Sequence, residues 1–428
     1  MTKFERAQKD ILVSRLQEEP KRLIIVTGPR QAGKTTMVQQ AMAEFRCRFV
    51  SADEPTRTFA ELGALSIDDH TIGDAPSPGQ SKDGRWLVQE WEIACKRLAE
   101  SDSGYVLAID EVQKIPNWSE IVKGLWDTDR LNNRPLHVIL LGSAPLLMQS
   151  GMNESLAGRF EPIHLSHWSY PEMSALAAMD LRQYVYFGGY PGAASYTHEE
   201  GRWRNYILNS LIKPNIERDI LAMERVDKPA LLRTLFELSA QYSGQILSYT
   251  KLQGNLHDAG NTTTLARYLA LLENAGLIAG LPKYTGSVLR RRSSSPKLIV
   301  LNTALMSALS DYSFSEAYAD RTFWGRIVES SVGAHLFNTR GPGVKLFYWR
   351  EQNDEVDFVL QRGRRLLAVE VRSGSKPIGR RGFDAFRKRF NTEIETLTVI
   401  TEQGALTEDN VPLAEFLSVP ADDWFKKS

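Results

Sequence analysis

Leu23-Ile24-Ile25-Val26-Thr27-Gly28-Pro29-Arg30-Gln31-Ala32-Gly33-Lys34-Thr35-Thr36 runs from an apolar strand, through a glycine-bounded loop, into a helical stretch that continues to Phe45. Strand, loop, helix is the order that decides the fold here. Glycine at both ends lets the loop backbone curl closely around a polyphosphate, so that its N–H groups and the helix N-terminus face negative charge. Gly28, Pro29, Arg30, Gln31, Ala32 and Gly33 then form the cradle, with Lys34, Thr35 and Thr36 closing it. Lys34 reaches β- and γ-phosphate oxygens, and Thr35 offers its hydroxyl to magnesium. The competing reading, an accidental glycine turn, lacks a reason for the strand before and the helix after.

Tyr105-Val106-Leu107-Ala108-Ile109-Asp110-Glu111 reads as a buried strand that ends in two carboxylates. Alone it is an ordinary strand with an acidic turn. Paired with the upstream loop, it is the second half of a nucleoside triphosphatase site, where Asp110 holds magnesium through water and Glu111 polarises the attacking water. The expected activity is ATP hydrolysis, with ATP and Mg2+ as ligands.

A chain of 428 residues has room for two to four domains. Its 52 basic and 52 acidic side chains balance, so attraction to nucleic acid or anionic lipid must come from local patches. Cys47 and Cys95 have neither metal-ligand spacing nor a disulfide framework, which suits a reducing compartment. With no signal-like start and no apolar run near the roughly 20 residues that span a bilayer, the expectation is a cytoplasmic protein without membrane contact.

Strands are expected near 22–27, 47–51, 104–109 and 136–142, with helices near 5–18, 34–45, 86–100 and 118–130; such alternation implies a parallel sheet covered on both faces. Gly73 to Gly84, rich in Gly, Pro, Ser and Asp, reads as a surface loop. Ser143, after the strand Leu136 to Leu141, is open to two roles: a γ-phosphate sensor or a cap for the next helix. Arg159, in Leu156-Ala157-Gly158-Arg159-Phe160, is either an arginine finger, in cis or in trans, or a surface ion-pair residue.

From residue 230 the leucines fall at helical spacing: Leu231, Leu232, Leu235 and Leu238, then a short helix over Tyr249 to His257, then Leu265, Leu269 and Leu272 with Asn261 or Thr262 as cap. Leu277 to Leu281 and Gly286 to Arg292 follow as a hairpin with a basic tip. Three helices and a hairpin describe a winged helix, with Thr263, Thr264 and Arg267 facing a groove and Arg290, Arg291 and Arg292 near phosphates. A module used only for packing or protein contact is the alternative. In the last quarter, Glu355 and Asp357 share one strand face, as do Glu370 and Arg372. Asp357 and Glu370 on adjacent strands repel unless a cation or protons relieve them, as a magnesium site does. Glu329 can add a carboxylate; solvated edge-strand charges are the alternative for each of these residues.

Together these pieces resemble a family of bacterial and archaeal AAA-superfamily ATPases that end in a restriction-endonuclease-like domain of unknown function. The resemblance rests on Thr27 to Thr36, on Ile109-Asp110-Glu111-Val112-Gln113-Lys114-Ile115-Pro116-Asn117-Trp118, on Gly188-Gly189-Tyr190-Pro191, and on Tyr348-Trp349-Arg350 with Glu355-Val356-Asp357-Phe358. It implies a P-loop core at 1–175, a helical lid at 176–230, a winged helix at 231–295 and a nuclease-like α/β domain at 296–428. It also places Ser143 at the sensor position, makes Arg159 the family's Gly-Arg arginine, and puts Glu329, Asp357 and Glu370 at the acidic positions of the nuclease-like fold. One departure stands out: active nucleases of that fold usually carry lysine two residues after the strand glutamate, and this chain has Arg372, which stays protonated. Two functions follow as expectations. Either ATP hydrolysis positions the C-terminal half on DNA, through the winged helix and the basic run Arg380-Arg381 to Arg387-Lys388-Arg389, or the site is a conformational latch in signalling or defence. In the second case an inactive nuclease-like domain binds protein. A homo-oligomer is compatible with both.

Overall fold

The computed structural model describes residues 4–53, 82–100, 104–142, 155–220, 226–255, 261–286, 295–373, 380–391, 394–401 and 410–425. Ser143, the wing arginines Arg290, Arg291 and Arg292, and residues 73–81 of the surface loop lie outside them. The chain divides into two units, Met1–Leu165 and Ser166–Ser428.

In the first unit, α1 (Gln8–Leu16), β1 (Leu23–Thr27), α2 (Lys34–Met42), β2 (Cys47–Ser51), α3 (Gly84–Ala99), β3 (Tyr105–Asp110), α4 (Trp118–Leu131), β4 (Leu136–Leu141) and β5 (Phe160–His164) alternate as expected. All five strands run parallel, in the order β2-β3-β4-β1-β5. Continuous apolar runs are needed because both faces are covered. Leu23, Ile25, Leu107, Ile109, Val138 and Leu140 pack with Trp86 and Trp91 of α3 and Trp118 and Trp126 of α4. Their neighbours Ile24, Val26, Val106, Ala108, Ile139 and Leu141 point the other way, onto Leu12, Leu16, Met37 and Val38 of α1 and α2. Each such side chain contributes about 1.5–3 kcal/mol on burial, which sets the register of every strand.

The second unit begins with the helices Tyr170–Ala177, Leu181–Phe187, Pro191–Ala194 and Glu200–Tyr206, followed by π-helical turns at Ile207–Ile212 and Asn215–Ile220. The Gly-Gly-Tyr-Pro motif is a packing node. A Cβ on Gly188, whose φ is +70°, would lie 2.1 Å from Asn302 Oδ1, and one on Gly189 would lie 2.2 Å from the Trp168 carbonyl oxygen. Asn302 Oδ1 accepts the Gly189 N–H at 3.1 Å, Asn302 Nδ2 lies 3.3 Å from His167 Nδ1, and His167 Nε2 lies 2.7 Å from the Gly276 carbonyl.

Next come α5 (Pro229–Gln241), α6 (Tyr249–Asn255) and α7 (Thr262–Asn274). Leu231, Leu232, Leu235, Leu265, Leu269 and Leu272 are all buried. Asn261 is the cap of α7, its side chain accepting the Thr264 N–H at 2.8 Å. β6 (Ile278–Leu281) pairs antiparallel with β7 (Lys297–Val300). The expected return strand at Gly286 to Arg292 lies, from residue 287 on, outside the described residues; the strand paired with β6 is Lys297–Val300. Leu298, Ile299 and Val300 are fully buried. After α8 (Arg321–Thr339), β8 (Val344–Glu351), β9 (Asp354–Arg362), β10 (Arg365–Arg372), β11 (Glu395–Ile400) and β12 (Asn410–Pro412) form one mixed sheet in the order β12-β11-β10-β9-β8, with α9 (Arg381–Phe390) between β10 and β11 in the chain. Pairing is antiparallel from β8 to β10 and parallel beyond it. Among the described residues no helix is long and apolar enough to cross a membrane.

Candidate functional site

The phosphate-loop residues leave β1 at the carboxyl edge of the first sheet. Gly28 has φ +152°, and a Cβ there would stand 2.1 Å from the Leu165 carbonyl oxygen, so only glycine fits. Gln31 (φ +60°) and Gly33 (φ +85°) take left-handed conformations that turn the loop back into α2. Arg6, buried at 4 % exposure, donates from Nη1 to the Ala32 carbonyl at 2.6 Å and so tethers the segment before α1 to the loop. No sequence signal pointed to Arg6, whose role depends on a contact 26 residues away.

Lys34 Nζ donates to the Gly28 and Pro29 carbonyls, each at 2.9 Å, and thereby arches over the loop. Thr35 Oγ1 donates to Asp110 Oδ2 at 2.8 Å, and the Glu111 N–H donates to Asp110 Oδ1 at 2.9 Å. The strand order explains the meeting: β1 and β3 flank β4, so residues after β1 and at the end of β3 share one edge of the sheet. Asp110 is 7 % exposed. Burial pushes its carboxyl above the usual range, against the Thr35 hydroxyl and the Lys34 ammonium, which pull it down. Glu111 adopts φ +53°, ψ +34°, a conformation a glutamate holds only at some expense, and its carboxylate accepts from the Gln113 amide. A hydroxyl beside a buried carboxylate, with an ammonium across the loop, is a donor set that fits a magnesium–triphosphate group: Thr35 and Asp110 toward the metal, Lys34 toward the phosphates.

Arg159 is placed elsewhere. β5 runs parallel to β1 with Phe160 opposite Leu23, so Arg159 stands where the strands begin, whereas Lys34 follows the end of β1. Five strand residues, about 16 Å, separate the two ends. The guanidinium is clamped by Asp127, Nε to Oδ1 at 2.8 Å and Nη2 to Oδ2 at 3.0 Å. Of the roles left open for Arg159, the one this geometry displays is an ion pair, with Asp127.

In the second unit, Asp357 of β9 and Glu370 of β10 do meet across neighbouring strands, and the Val371 N–H donates to Asp357 Oδ2 at 2.8 Å. What relieves their charge differs from the expectation. Glu370, 2 % exposed, pairs with Arg372. Burial raises its carboxyl to about 7, opposed by Arg372. Asp357 Oδ1 lies 3.6 Å from Lys297 Nζ, and Glu329 Oε1 lies 2.6 Å from the same ammonium. Among the described residues no group of three or more His, Cys, Asp or Glu side chains is disposed to hold a metal, and the cations that stand beside Asp357 and Glu370 are the Lys297 and Arg372 side chains. Lys297 was missed; its only sequence signal is a lone charge heading the apolar run Leu298-Ile299-Val300. The basic run of α9 is also largely answered, by Arg381 with Asp354 (2.6 Å), Arg389 with Glu351 (2.8 Å) and Arg387 with Asp384 (3.6 Å).

Residues 20–174 match the AAA domain family, and the first unit is an AAA-type P-loop ATPase fold. Residues 178–316 match a domain of unknown function (DUF8612) and residues 324–419 another (DUF4143). An uncharacterized protein of Mycobacterium tuberculosis is 28% identical over 360 residues, 83% of this chain and 71% of that one. An uncharacterized protein of Methanocaldococcus jannaschii is 23% identical over 397 residues, 84% of this chain and 77% of that one. Among solved structures, the Walker-type ATPase of Pyrococcus abyssi aligns at TM-score 0.43 with 15% identity, over 72% of this chain and 95% of that one. The Holliday junction branch migration motor of Thermotoga maritima aligns at 0.28 with 15% identity, over 64% and 89%.

Proposed function

We propose that this chain binds and hydrolyses ATP at Lys34, Thr35, Asp110 and Glu111, and that the nucleotide state governs the second unit. The observation that carries this is the Thr35–Asp110 hydrogen bond at 2.8 Å beside the Lys34 arch: two motifs 75 residues apart meet in the arrangement a magnesium–triphosphate needs. Bound magnesium supplies charge neutralisation for the departing phosphate. Gly28 to Thr36 hold the phosphates, Lys34 exchanges its two carbonyl partners for phosphate oxygens, and Glu111 accepts the proton of the attacking water. Arg159, clamped at the far edge of the sheet, serves the phosphate of a neighbouring protomer in a homo-oligomer. Ser143 is the proposed sensor. ATP turnover by the parent protein and Lys34→Ala tests the core: retained hydrolysis in the variant refutes the site.

Within the second unit, we read α5 to α7 with β6 and β7 as a winged-helix module, and the mixed sheet as a nuclease-like domain. Thr263 and Arg267 are exposed on α7, which supports contact with DNA as one use of the module. The ion-paired α9 arginines and the Glu370–Arg372 pair favour the second reading, an ATP-driven switch whose C-terminal domain binds protein. Salt dependence separates the two: DNA binding that weakens steeply from 50 to 200 mM salt supports the first, and none at 50 mM supports the switch.

A further inference from the structure

The nuclease-like domain implies a divalent cation between Asp357 and Glu370, and the donor set can be tested for that fit. Magnesium takes oxygens at about 2.0–2.1 Å in near-octahedral array. The carboxylates are committed otherwise. Lys297 is fully buried, at 0 % exposure, and its Nζ lies 2.6 Å from Glu329 Oε1, 3.5 Å from Glu355 Oε1 and 3.6 Å from Asp357 Oδ1. It also donates to the Asp357 carbonyl at 3.2 Å and sits 5.0 Å from the centre of the Phe358 ring. Asp357 Oδ2 is taken by the Val371 N–H, Glu355 Oε2 stands 3.8 Å from Arg350 Nη1, and Glu370 is turned to Arg372. As the side chains stand, the residues do not fit a metal.

We propose that Lys297 is the resident cation of this site, its ammonium supplied by β7 in the place a divalent metal would need among Glu329, Glu355 and Asp357, which makes the C-terminal domain a metal-independent binding module and not a nuclease. An ammonium has three donors, and it faces three carboxylates, Glu329 on α8 with Glu355 and Asp357 on β9, besides the Asp357 main-chain carbonyl. Zero exposure keeps Nζ away from any phosphodiester arriving from solvent, so its role is that of a counterion. Removing it would leave buried carboxylates uncompensated. The lysine also belongs to the antiparallel pair beside α5 to α7, so a single charge fastens that pair to α8 and β9. This inference is independent of the nucleotide site.

Manganese binding by the full chain without nucleotide, followed by electron paramagnetic resonance, tests it. The expected result is the same manganese stoichiometry for the parent protein and Asp357→Asn. Lys297→Ala is expected to lose thermal stability and to gain one manganese site that Lys297→Ala with Asp357→Asn lacks. For a Kd of about 0.1 mM, 1 mM manganese would raise the Lys297→Ala midpoint by roughly 3–5 °C. A parent protein that binds one manganese ion lost in Asp357→Asn overturns the proposal, and that comparison stands even where Lys297→Ala fails to fold. A folded Lys297→Ala that gains no site overturns it as well.

Discussion

Asp110→Asn should make the nucleotide-free protein more stable and the enzyme inactive. Asp110 is 7 % exposed, and the largest influence on its carboxyl is burial, which raises its pKa. Asparagine keeps the shape and an oxygen for the Glu111 N–H at 2.9 Å, and its amide can face the Thr35 hydroxyl, which turns to accept. Lost is the attraction to Lys34; removed are the desolvation of a charge and the repulsion from Glu111. The balance is a gain on the order of 1 kcal/mol at pH 8, or about 2–4 °C in Tm for a unit of this size. The sign with pH follows from linkage. A carboxyl whose folded pKa lies above its unfolded value destabilises the fold at high pH, and that penalty fades as pH falls through the folded pKa toward about 4. The variant's advantage should therefore shrink on acidification. ATP hydrolysis should fall by about 10²-fold or more, because the carboxylate that holds magnesium through water is gone. Differential scanning fluorimetry from pH 4.5 to 8.5, with a phosphate-release assay, measures both. A variant less stable than the parent at pH 8, or an advantage that grows toward pH 5, refutes the electrostatic reasoning; full activity refutes the site.

Glu111→Gln should bind ATP but turn it over about 10²–10⁴-fold more slowly, measurable as trapped nucleotide after gel filtration. Gly28→Ala must move a Cβ away from a carbonyl oxygen 2.1 Å distant, and the expected loss is about 2 kcal/mol or more together with ATP affinity, read by calorimetry. Mixing Arg159→Ala with Lys34→Ala should restore hydrolysis that neither has alone, because one mixed interface carries both intact residues; no recovery removes the trans role of Arg159. Asp127→Ala should leave Arg159 mobile with a melting temperature close to the parent's in differential scanning fluorimetry, since exposed ion pairs contribute little.

The nucleotide fold was legible because its information is local. Eight consecutive residues dictate a loop that only glycine can close at Gly28, and strands buried on both faces write themselves as unbroken apolar runs such as Leu136 to Leu141. The leucine spacing of α5 and α7 was equally readable, since a 3.6-residue period needs no knowledge of the partner surface. That β6 pairs with Lys297–Val300 was not legible, because the length of chain between paired strands is not set by local pattern.

Charge pairing was another matter. Sequence alone set the question at Asp357 and Glu370, carboxylates on neighbouring strands that repel unless a cation or protons relieve them. Which cation answers them was decided by tertiary structure: Lys297 arrives from 60 residues upstream, and Arg372 from the same strand. The same holds for Arg159, whose distance from Lys34 is set by β5 lying parallel beside β1. Backbone conformation and periodicity are properties of neighbours in the chain, whereas electrostatic partners are chosen by strand register across it.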